Sequence, residues 1–385
     1  MSYDVAIVGA GSMGMAAGYF IAKQGKKVLL LDAFDPPHHH ASHHGETRII
    51  RHAYGEGEHY VPLVLRAQTL WEELQARSGQ SLFLPTGVLN IGDRSAPFIQ
   101  TLIKSAEQYQ LPLEILNAEQ VHARFPGFTL PEHYLGCFEP TSGVLKCEAC
   151  IAAYRDLAVA HGAECLPYHP LDTLQILDDG SARLVSGKRE IRAKKVIVAA
   201  GAWTTKLLRQ LDVALPMQPY RKTFAWFDAD ETLYGDRAFP AFSFHSPQGI
   251  YYGFPSIDGA GVKVGRHDGG EPHDPDTPLA DFDTVADSQD LERLLATVMP
   301  QVASLKYGKT CMYSMTEDEH FIIDVHPHYS NVIIAAGFSG HGFKFASVIG
   351  EILSELALHG QTQHPIAPFS FQRFTTEKIS SASTR

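Results

Sequence analysis

Residues 3–32, YDVAIVGAGSMGMAAGYFIAKQGKKVLLLD, carry the pattern that decides the fold of this chain. A short β-rich run (YDVAIV) leads into a glycine-rich turn and a helical run (MAAGYFIAKQG). A second apolar run (KVLLL) follows and ends at Asp32. The order of strand, turn, helix, strand and acid is typical of a βαβ unit that binds a dinucleotide. The stretch therefore predicts a Rossmann-like domain.

The glycines Gly9, Gly11 and Gly14 have separate purposes in such a turn. The first allows the tight turn, the second lets the backbone approach a pyrophosphate, and the third lets helix and strand pack closely. The phosphates then lie at the helix N-terminus, where free N–H groups and the helix dipole favour anions. Asp32 is placed to accept hydrogen bonds from the adenosine ribose. The pattern does not distinguish NAD from FAD, and a glycine-rich turn without a ligand remains an alternative.

Two later segments also read as a strand followed by a glycine turn and a helix. They are residues 193–203 (AKKVIVAAGAW) and 331–342 (NVIIAAGFSGHG), and long stretches separate them from the first unit. Runs such as GIYYGFPS are β-rich between turns. We therefore predict a mixed α/β plus α+β fold, in which a substrate domain built on an antiparallel sheet interrupts a discontinuous nucleotide domain. The expected boundaries are 1–80, 145–215 and 308–385 for the nucleotide domain, and 81–144 and 216–307 for the substrate domain.

The composition disfavours several classes of function. The chain has 385 residues, of which 44% are hydrophobic, and a formal net charge of −11. Such a charge disfavours general binding to nucleic acid or to an anionic membrane. No run approaches the roughly 18–20 apolar residues of a spanning helix, and the first residues read as strand and turn rather than as a signal peptide. An odd number of cysteines, five, suits a reducing compartment, so we expect a cytoplasmic protein.

Residues 38–52, HHHASHHGETRIIRH, contain six histidines and pose the alternative of a metal enzyme. Neighbouring histidines do not face one another on regular elements, so the run is a poor ligand set and we predict no metal. His38 to His40 follow two prolines and read as a loop of solvated imidazoles. Cys147 and Cys150 could form half of a zinc site or a redox pair, but the helical run CEACIAAYRDLAVAHG favours small buried thiols.

Seven motifs together resemble one family, the monomeric sarcosine oxidase and N-methyltryptophan oxidase family of flavoprotein amine oxidases. They occur in family order across almost the whole chain: VGAGSMGMAAGY, SHHGETRIIRHAYGEG, YYGFPS, KVGRH, TCMY, DEHFIID and AAGFSGHGFKFA. The resemblance implies FAD attached covalently through its 8α-methyl group to a cysteine sulfur, here Cys311. The residues themselves point the same way, because Lys309 lies two positions away and positive charge favours a thiolate.

The resemblance also implies the roles of the site residues. Arg51 and Lys344 would bind a substrate carboxylate, whose geometry suits a guanidinium fork. Arg48 and His44 would lie close to the flavin ring, and Tyr252, His267 and Tyr313 would shape the pocket and orient the amine. The implied cofactor-binding residues are Gly9, Gly11, Gly14, Asp32, Ser42, Thr47, Arg48, Cys311, Gly340, Gly342 and Lys344.

Lys263 receives two conflicting interpretations. It alternates with Val262 and Val264, and this alternation alone predicts a half-exposed strand with the lysine facing solvent. The resemblance instead places it near the flavin N5, where a cation would promote oxygen activation by stabilising developing superoxide.

The implied reaction is oxidative demethylation of an N-methyl amino acid by a monomeric enzyme, with dioxygen as electron acceptor. The segments HAYGEGEHYVPLVLRAQTLW and KTFAWFDAD favour the tryptophan type, whereas the DPDT loop and CMYSMTEDEHFIID favour the sarcosine type. We predict the sarcosine type, with N-methyl-L-tryptophan as the alternative substrate. An NAD-dependent dehydrogenase and a nucleotide-binding protein without catalytic activity are the alternatives from other classes.

Overall fold

A computed structural model describes residues 2–374 of the chain. Within that range, no helix is long and apolar enough to cross a membrane. Short 3₁₀ helices occupy Glu58–Tyr60, Gly201–Trp203, Arg209–Leu211, Phe343–Phe345 and Ala367–Phe369. The α-helices of the described range are α1 (Ser12–Lys23), α2 (Val61–Ser78), α3 (Pro97–Gln108), α4 (Ala118–Arg124), α5 (Cys147–Ala160), α6 (Thr204–Leu208), α7 (Glu231–Tyr234), α8 (Gln289–Val298) and α9 (Ala346–His359).

The strands form two large sheets and one small sheet. In chain order they are β1 (Ser2–Val8), β2 (Val28–Leu31), β3 (Thr47–Ile50), β4 (Phe83–Leu84), β5 (Val88–Asp93), β6 (Glu114–Asn117), β7 (Tyr134–Glu139), β8 (Gly143–Lys146), β9 (Glu164–Leu166), β10 (Thr173–Ile176), β11 (Ala182–Ser186), β12 (Arg189–Val198), β13 (Met217–Phe227), β14 (Ala241–Ser246), β15 (Gly249–Phe254), β16 (Val262–Arg266), β17 (Glu271–Pro272), β18 (Leu305–Thr316), β19 (Ile322–Val325) and β20 (Val332–Ala336).

The eight-stranded sheet is the nucleotide-binding framework. Its strands follow the order β10-β11-β12-β1-β2-β9, and β20 and β19 extend it beside β12. The central strands β12, β1 and β2, with β20 and β9, pair in parallel. The strands β2 and β20 are buried along their whole length, as expected of parallel strands that are covered on both faces. The carboxyl ends of β1, β2, β12 and β20 therefore meet at one edge of the sheet.

Helices α1, α5 and α9 pack together over one face of this sheet. Helix α1 approaches α9 so closely that a Cβ on Gly350 would lie 2.5 Å from the Cβ of Ala16. A Cβ on Gly18 would likewise lie 2.7 Å from a methyl carbon of Leu30 in the sheet beneath. Small residues at these positions allow the βαβ unit to close tightly, which holds the glycine turn at the sheet edge.

The second large sheet has nine strands in the order β17-β13-β16-β15-β14-β5-β7-β6, with β18 on β13. Its pairs are antiparallel except for β5 and β14, which run in parallel. The predicted fold class, a Rossmann-like domain with an interleaved domain on an antiparallel sheet, is confirmed. Strand β18 pairs along its length with β13. The expected domain boundary at residue 308 therefore falls inside one strand of the nine-stranded sheet. The expected division at residue 145 falls inside β8 of the small sheet β3-β8-β4.

Candidate active site

A cavity of about 550 Å³ begins at the carboxyl edge of the parallel sheet and extends to the nine-stranded sheet. Gly9 and Asp32 line one end, after β1 and β2, as ligands do at the ends of strands in open α/β sheets. The other end is lined by Arg48 from β3 and Tyr313 from β18. The cavity therefore joins the predicted nucleotide turn to the predicted ring site. The predicted residues that line it are Gly9, Gly11, Asp32, Ser42, Arg48, Tyr313, Gly340 and Gly342.

The fingerprint glycines have the geometry that a bound dinucleotide requires. Gly9 has a φ of +94°, and a Cβ there would lie 2.4 Å from the carbonyl oxygen of Ala199. A Cβ on Gly14 would lie 1.9 Å from the carbonyl oxygen of Gly9. Gly11 differs, because a Cβ there would meet only one atom, the Nδ1 of His43 at 4.0 Å. The space over Gly11 thus opens into the cavity, which fits the pyrophosphate of a dinucleotide.

This difference yields a paired prediction. Gly11→Ala should leave the free energy of unfolding of the apoprotein within about 0.5 kcal/mol of the parent, because its φ of −70° suits alanine, yet it should weaken dinucleotide binding. Gly14→Ala should destabilise the apoprotein by about 1–3 kcal/mol through overpacking. Chemical denaturation and titration with FAD measure the two effects. Equal losses of stability in both variants would contradict the assignment.

Asp32, at the same end of the cavity as Gly9, makes hydrogen bonds with other groups of the protein. Its carboxylate accepts hydrogen bonds from the backbone N–H of Ala10 at 2.8 Å and of Phe34 at 3.0 Å. The Nε2 of His38 lies 3.1 Å from the same carboxylate. The interpretation of His38 as a solvated imidazole is therefore wrong, since folding brings it against an acid at the sheet edge. His39 and His40 are exposed.

Arg48, which is half-buried on β3, and Lys263, which is buried on β16, bring two positive charges close together. The Arg48 guanidinium donates to three backbone carbonyls, those of Ser42, His44 and Thr47. Lys263 is 2% exposed, so the outward orientation suggested by its alternation with valines is wrong. Its Nζ donates to the carbonyls of Gly45 and Thr47 and to the Thr47 hydroxyl. Burial, followed by the charge of Arg48, lowers the pKa of Lys263 to about 7.

Aromatic rings surround this lysine. Its Nζ lies 4.8 Å from the centre of the Phe224 ring and 4.7 Å from that of Phe254. The ring centre of His44 lies 6.4 Å from that of Phe224, and the His44 Nδ1 is 3.7 Å from the Glu148 carboxylate. Rings and carbonyl oxygens, rather than a directly paired carboxylate, therefore hold the Lys263 cation.

Arg51 and Lys344 converge on one tyrosine. The ring centre of Tyr54 lies 4.4 Å from the Arg51 Cζ and 5.4 Å from the Lys344 Nζ. Lys344 also donates to the Tyr54 hydroxyl at 3.3 Å and to the His341 carbonyl at 2.8 Å. Burial and the charge of Arg51 lower the pKa of Lys344 to about 7. Two buried cations from distant parts of the sequence therefore lie against one buried tyrosine.

Glu56 is a site residue that the sequence analysis missed. Its carboxylate forms an ion pair and hydrogen bond with the Arg51 guanidinium. Its sequence context, YGEGEHY, suggests a glycine-flanked surface turn and carries no signal for this pairing. Arg51 thus has a carboxylate partner within the chain, and a substrate carboxylate would compete with Glu56.

Tyr252, Tyr313 and His267 lie together beside the glycine turn that follows β20. The His267 ring centre lies 5.8 Å from that of Tyr313. Burial, followed by the neighbouring Tyr313, raises the pKa of Tyr252 well above its usual value. A Cβ on Gly340 would lie 2.3 Å from the Tyr313 ring and 3.0 Å from the His267 ring. Burial lowers the pKa of His267 to about 4, so its imidazole is neutral near pH 7. The predicted pocket-forming residues are thus brought together.

Cys311 is buried on β18, and it is a free thiol. Burial raises its pKa, while the charges of Arg48, Lys263 and Lys222 oppose that rise. Lys222 lies opposite Cys311 in the pairing of β13 with β18 and was not anticipated from the sequence. Lys309, which the sequence suggested as the activating charge, instead pairs with Glu46 at 2.8 Å.

The remaining cysteines and histidines offer no metal centre within residues 2–374, where no three His, Cys, Asp or Glu side chains are grouped to hold an ion. Cys147 and Cys150 are both buried, free thiols on α5.

A cavity that runs from the fingerprint glycines at the edge of a parallel sheet to Arg48 and Tyr313 is typical of a nucleotide-dependent oxidoreductase. Residues 4–356 match the DAO family, described as FAD dependent oxidoreductase. The chain belongs to this family, and the predicted class of flavoprotein amine oxidase is confirmed. The family also decides the choice that the fingerprint leaves open, because its cofactor is FAD rather than NAD.

Two similar proteins extend over nearly the whole chain. The chain is 49% identical over 375 residues to monomeric sarcosine oxidase of Arthrobacter sp. (strain TE1826), covering 96% of each chain. It is 43% identical over 377 residues to N-methyl-L-tryptophan oxidase of Escherichia coli O157:H7, covering 97% of this chain and 100% of the other.

Solved structures share the fold. An unusual amino acid oxidase essential for nikkomycin biosynthesis, in its open form, superposes with a TM-score of 0.84 at 25% identity, covering 96% of this chain and 97% of the other. The L-proline dehydrogenase of P. horikoshii gives a TM-score of 0.86 at 21% identity, covering 98% of each chain.

Proposed function

We propose that this protein catalyses the FAD-dependent oxidative demethylation of a small N-methyl amino acid, with sarcosine as the representative substrate. The substrate, dioxygen and water would yield the demethylated amino acid, formaldehyde and hydrogen peroxide. The observation that carries this proposal is the convergence of Arg51 and Lys344 on Tyr54, which supplies two buried cations for one carboxylate. The similarity to sarcosine oxidase and N-methyl-L-tryptophan oxidase supports the same class of substrate.

The residues of the chain bind and orient the amino acid in this reaction. Arg51 and Lys344 hold the carboxylate, and their positive charge disfavours a protonated amine nearby, so the reactive neutral amine is favoured. Neutral His267 and protonated Tyr252 line the pocket without adding a negative charge. The chemistry that FAD would supply when bound is acceptance of a hydride equivalent from the N-methyl carbon and transfer of the electrons to dioxygen. Lys263 supplies positive charge for the reduction of dioxygen.

The packing beside Arg51 supports a small substrate. The Phe98 ring stacks on His245 with ring centres 3.5 Å apart, and it lies 5.4 Å from the Arg51 Cζ. This pair encloses the carboxylate-binding side, where a bulky side chain would have to displace it. N-methyl-L-tryptophan is the second candidate, because of the 43% identity to an enzyme with that name.

A peroxide assay decides between these substrates. The full panel is sarcosine, N-methyl-L-tryptophan, L-proline and glycine, each at a series of concentrations. We expect the highest kcat/KM with sarcosine and none with glycine. Absence of peroxide with both N-methyl amino acids would overturn the proposal. We also propose that the enzyme is monomeric and cytoplasmic, and size-exclusion chromatography with light scattering tests the first of these.

Covalent attachment of FAD through the Cys311 sulfur is part of the proposal. Arg48, Lys263 and Lys222 oppose the effect of burial on this thiol, and so favour the thiolate that attachment requires. Acid precipitation of the native protein should leave the yellow colour in the pellet, whereas Cys311→Ser should release it to the supernatant. Cys147→Ser, which removes another buried thiol, is the matched control and should retain the colour. Release from the parent protein would disprove the attachment.

The lowered pKa of Lys344 predicts that the affinity for a carboxylate depends on pH. Acetate is a suitable probe because it has no amine and its carboxyl group does not titrate near pH 7. Any change of its affinity near pH 7 therefore comes from groups of the protein. Because the pKa of Lys344 is about 7, its ammonium gains charge as the pH falls through 7. Acetate affinity should therefore increase as the pH falls through 7 and weaken above it. Flavin absorbance during acetate titration measures this. Lys344→Met should flatten the profile, and an unchanged profile in that variant would contradict the assignment.

A further inference from the structure

His43 is buried against the glycine turn of the dinucleotide fingerprint. It is 3% exposed and lines the large cavity. Its Nδ1 is the atom nearest to a Cβ built on Gly11, at 4.0 Å. Its Nε2 has neither a protein partner nor contact with solvent. One nitrogen of the ring therefore faces the open space over the turn, and the other is sealed in the protein.

This asymmetry determines which nitrogen carries the hydrogen. Burial lowers the pKa of His43 to about 3, so the ring is neutral and has a single N–H. An unpaired buried N–H is rarer and costs more than an acceptor without a partner. This favours the tautomer with the hydrogen on Nδ1, in which His43 presents a donor to the space over Gly11.

The start of helix α1 presents further donors to the same space. The helix has no side-chain hydrogen bond at its N-cap and no acidic residue in its first turn. Its first N–H groups are thus available to an anion, as in other dinucleotide sites. We propose that the Nδ1–H of His43 donates a hydrogen bond to the diphosphate of FAD, as a clamp opposite the N-terminus of α1. The proposal depends on the FAD family alone and not on which amine is oxidised.

Replacing His43 by asparagine or by glutamine can test which ring nitrogen donates the hydrogen bond. The amide nitrogen of asparagine can occupy the position of Nδ1, whereas glutamine carries its amide to the position of Nε2. Full-length apoprotein from riboflavin-limited cells is titrated with ADP and with adenosine by calorimetry. We expect His43→Gln to weaken ADP binding about tenfold or more, His43→Asn to stay within about threefold of the parent, and adenosine binding to change little in either. His39→Ala, an exposed histidine of the same loop, is the control and should bind ADP normally.

Three outcomes would overturn the proposal. They are equal ADP affinities of the Asn and Gln variants, a parallel loss of adenosine binding, or an effect of the same size in His39→Ala. Circular dichroism and the Tm of each apoprotein show whether the compared variants are folded. The readout is ligand binding, so a failure of the amine oxidase proposal leaves this result interpretable.

Discussion

Replacing Lys263 by methionine should slow the reoxidation of the reduced flavin by dioxygen about 10²–10³-fold, the range for loss of one preorganised charge-stabilising donor. The lysine is 2% exposed and is surrounded by carbonyl oxygens and aromatic rings. Solvent therefore has little access to compensate for the loss of its charge. Methionine preserves most of the volume and removes only the cation. Reduction by the amine should change far less, because the carboxylate-binding cations Arg51 and Lys344 are retained.

Stopped-flow measurements separate the two half-reactions. Anaerobic mixing with sarcosine gives the reduction rate, and mixing of the reduced enzyme with dioxygen gives the reoxidation rate. Lys309→Met is a matched control, because the Lys309 Nζ lies 5.0 Å from the Trp226 ring and that of Lys263 lies 5.3 Å from it. Equal slowing in both variants, or normal reoxidation in Lys263→Met, would refute the role. With a Lys263 pKa of about 7, reoxidation by the parent enzyme should also decline as the pH rises through 7.

Replacing Arg51 by alanine should raise the KM for sarcosine about 10²-fold and change kcat much less. A charge-assisted bidentate contact to a carboxylate contributes about 3 kcal/mol, and each 1.36 kcal/mol corresponds to tenfold. The carboxylate does not react, so the contact stabilises the ground state and the transition state alike. Steady-state kinetics at saturating dioxygen measure the effect.

Glu56 complicates this experiment and also supplies its control. Removal of Arg51 leaves the half-buried Glu56 carboxylate without its ion pair, which adds a structural cost. Arg51→Ala combined with Glu56→Gln removes that cost and should keep the high KM, whereas Glu56→Gln alone should lower the KM because it removes the competing carboxylate. A normal KM in the double variant would show that Arg51 does not bind the substrate.

Local patterns in the sequence were sufficient for the nucleotide framework. The strand, glycine turn, helix and acid of residues 3–32 are contiguous, so periodicity and backbone requirements alone predicted the βαβ unit that the structure contains. The family resemblance, carried by motifs along the whole chain, identified the FAD class that the fingerprint left open.

The polar contacts of the site depend on residues far apart in the chain. Lys263 contacts the carbonyl of Gly45, which is 218 positions away. The alternation of Lys263 with valines suggested a solvent-facing lysine, yet the strand is covered on both faces. Glu56 and Lys222 gave no local signal at all. The periodicity of a sequence indicates which type of secondary structure a segment forms. The burial and the contacts of a side chain depend on the elements that pack over it, and only the tertiary structure decides which elements those are.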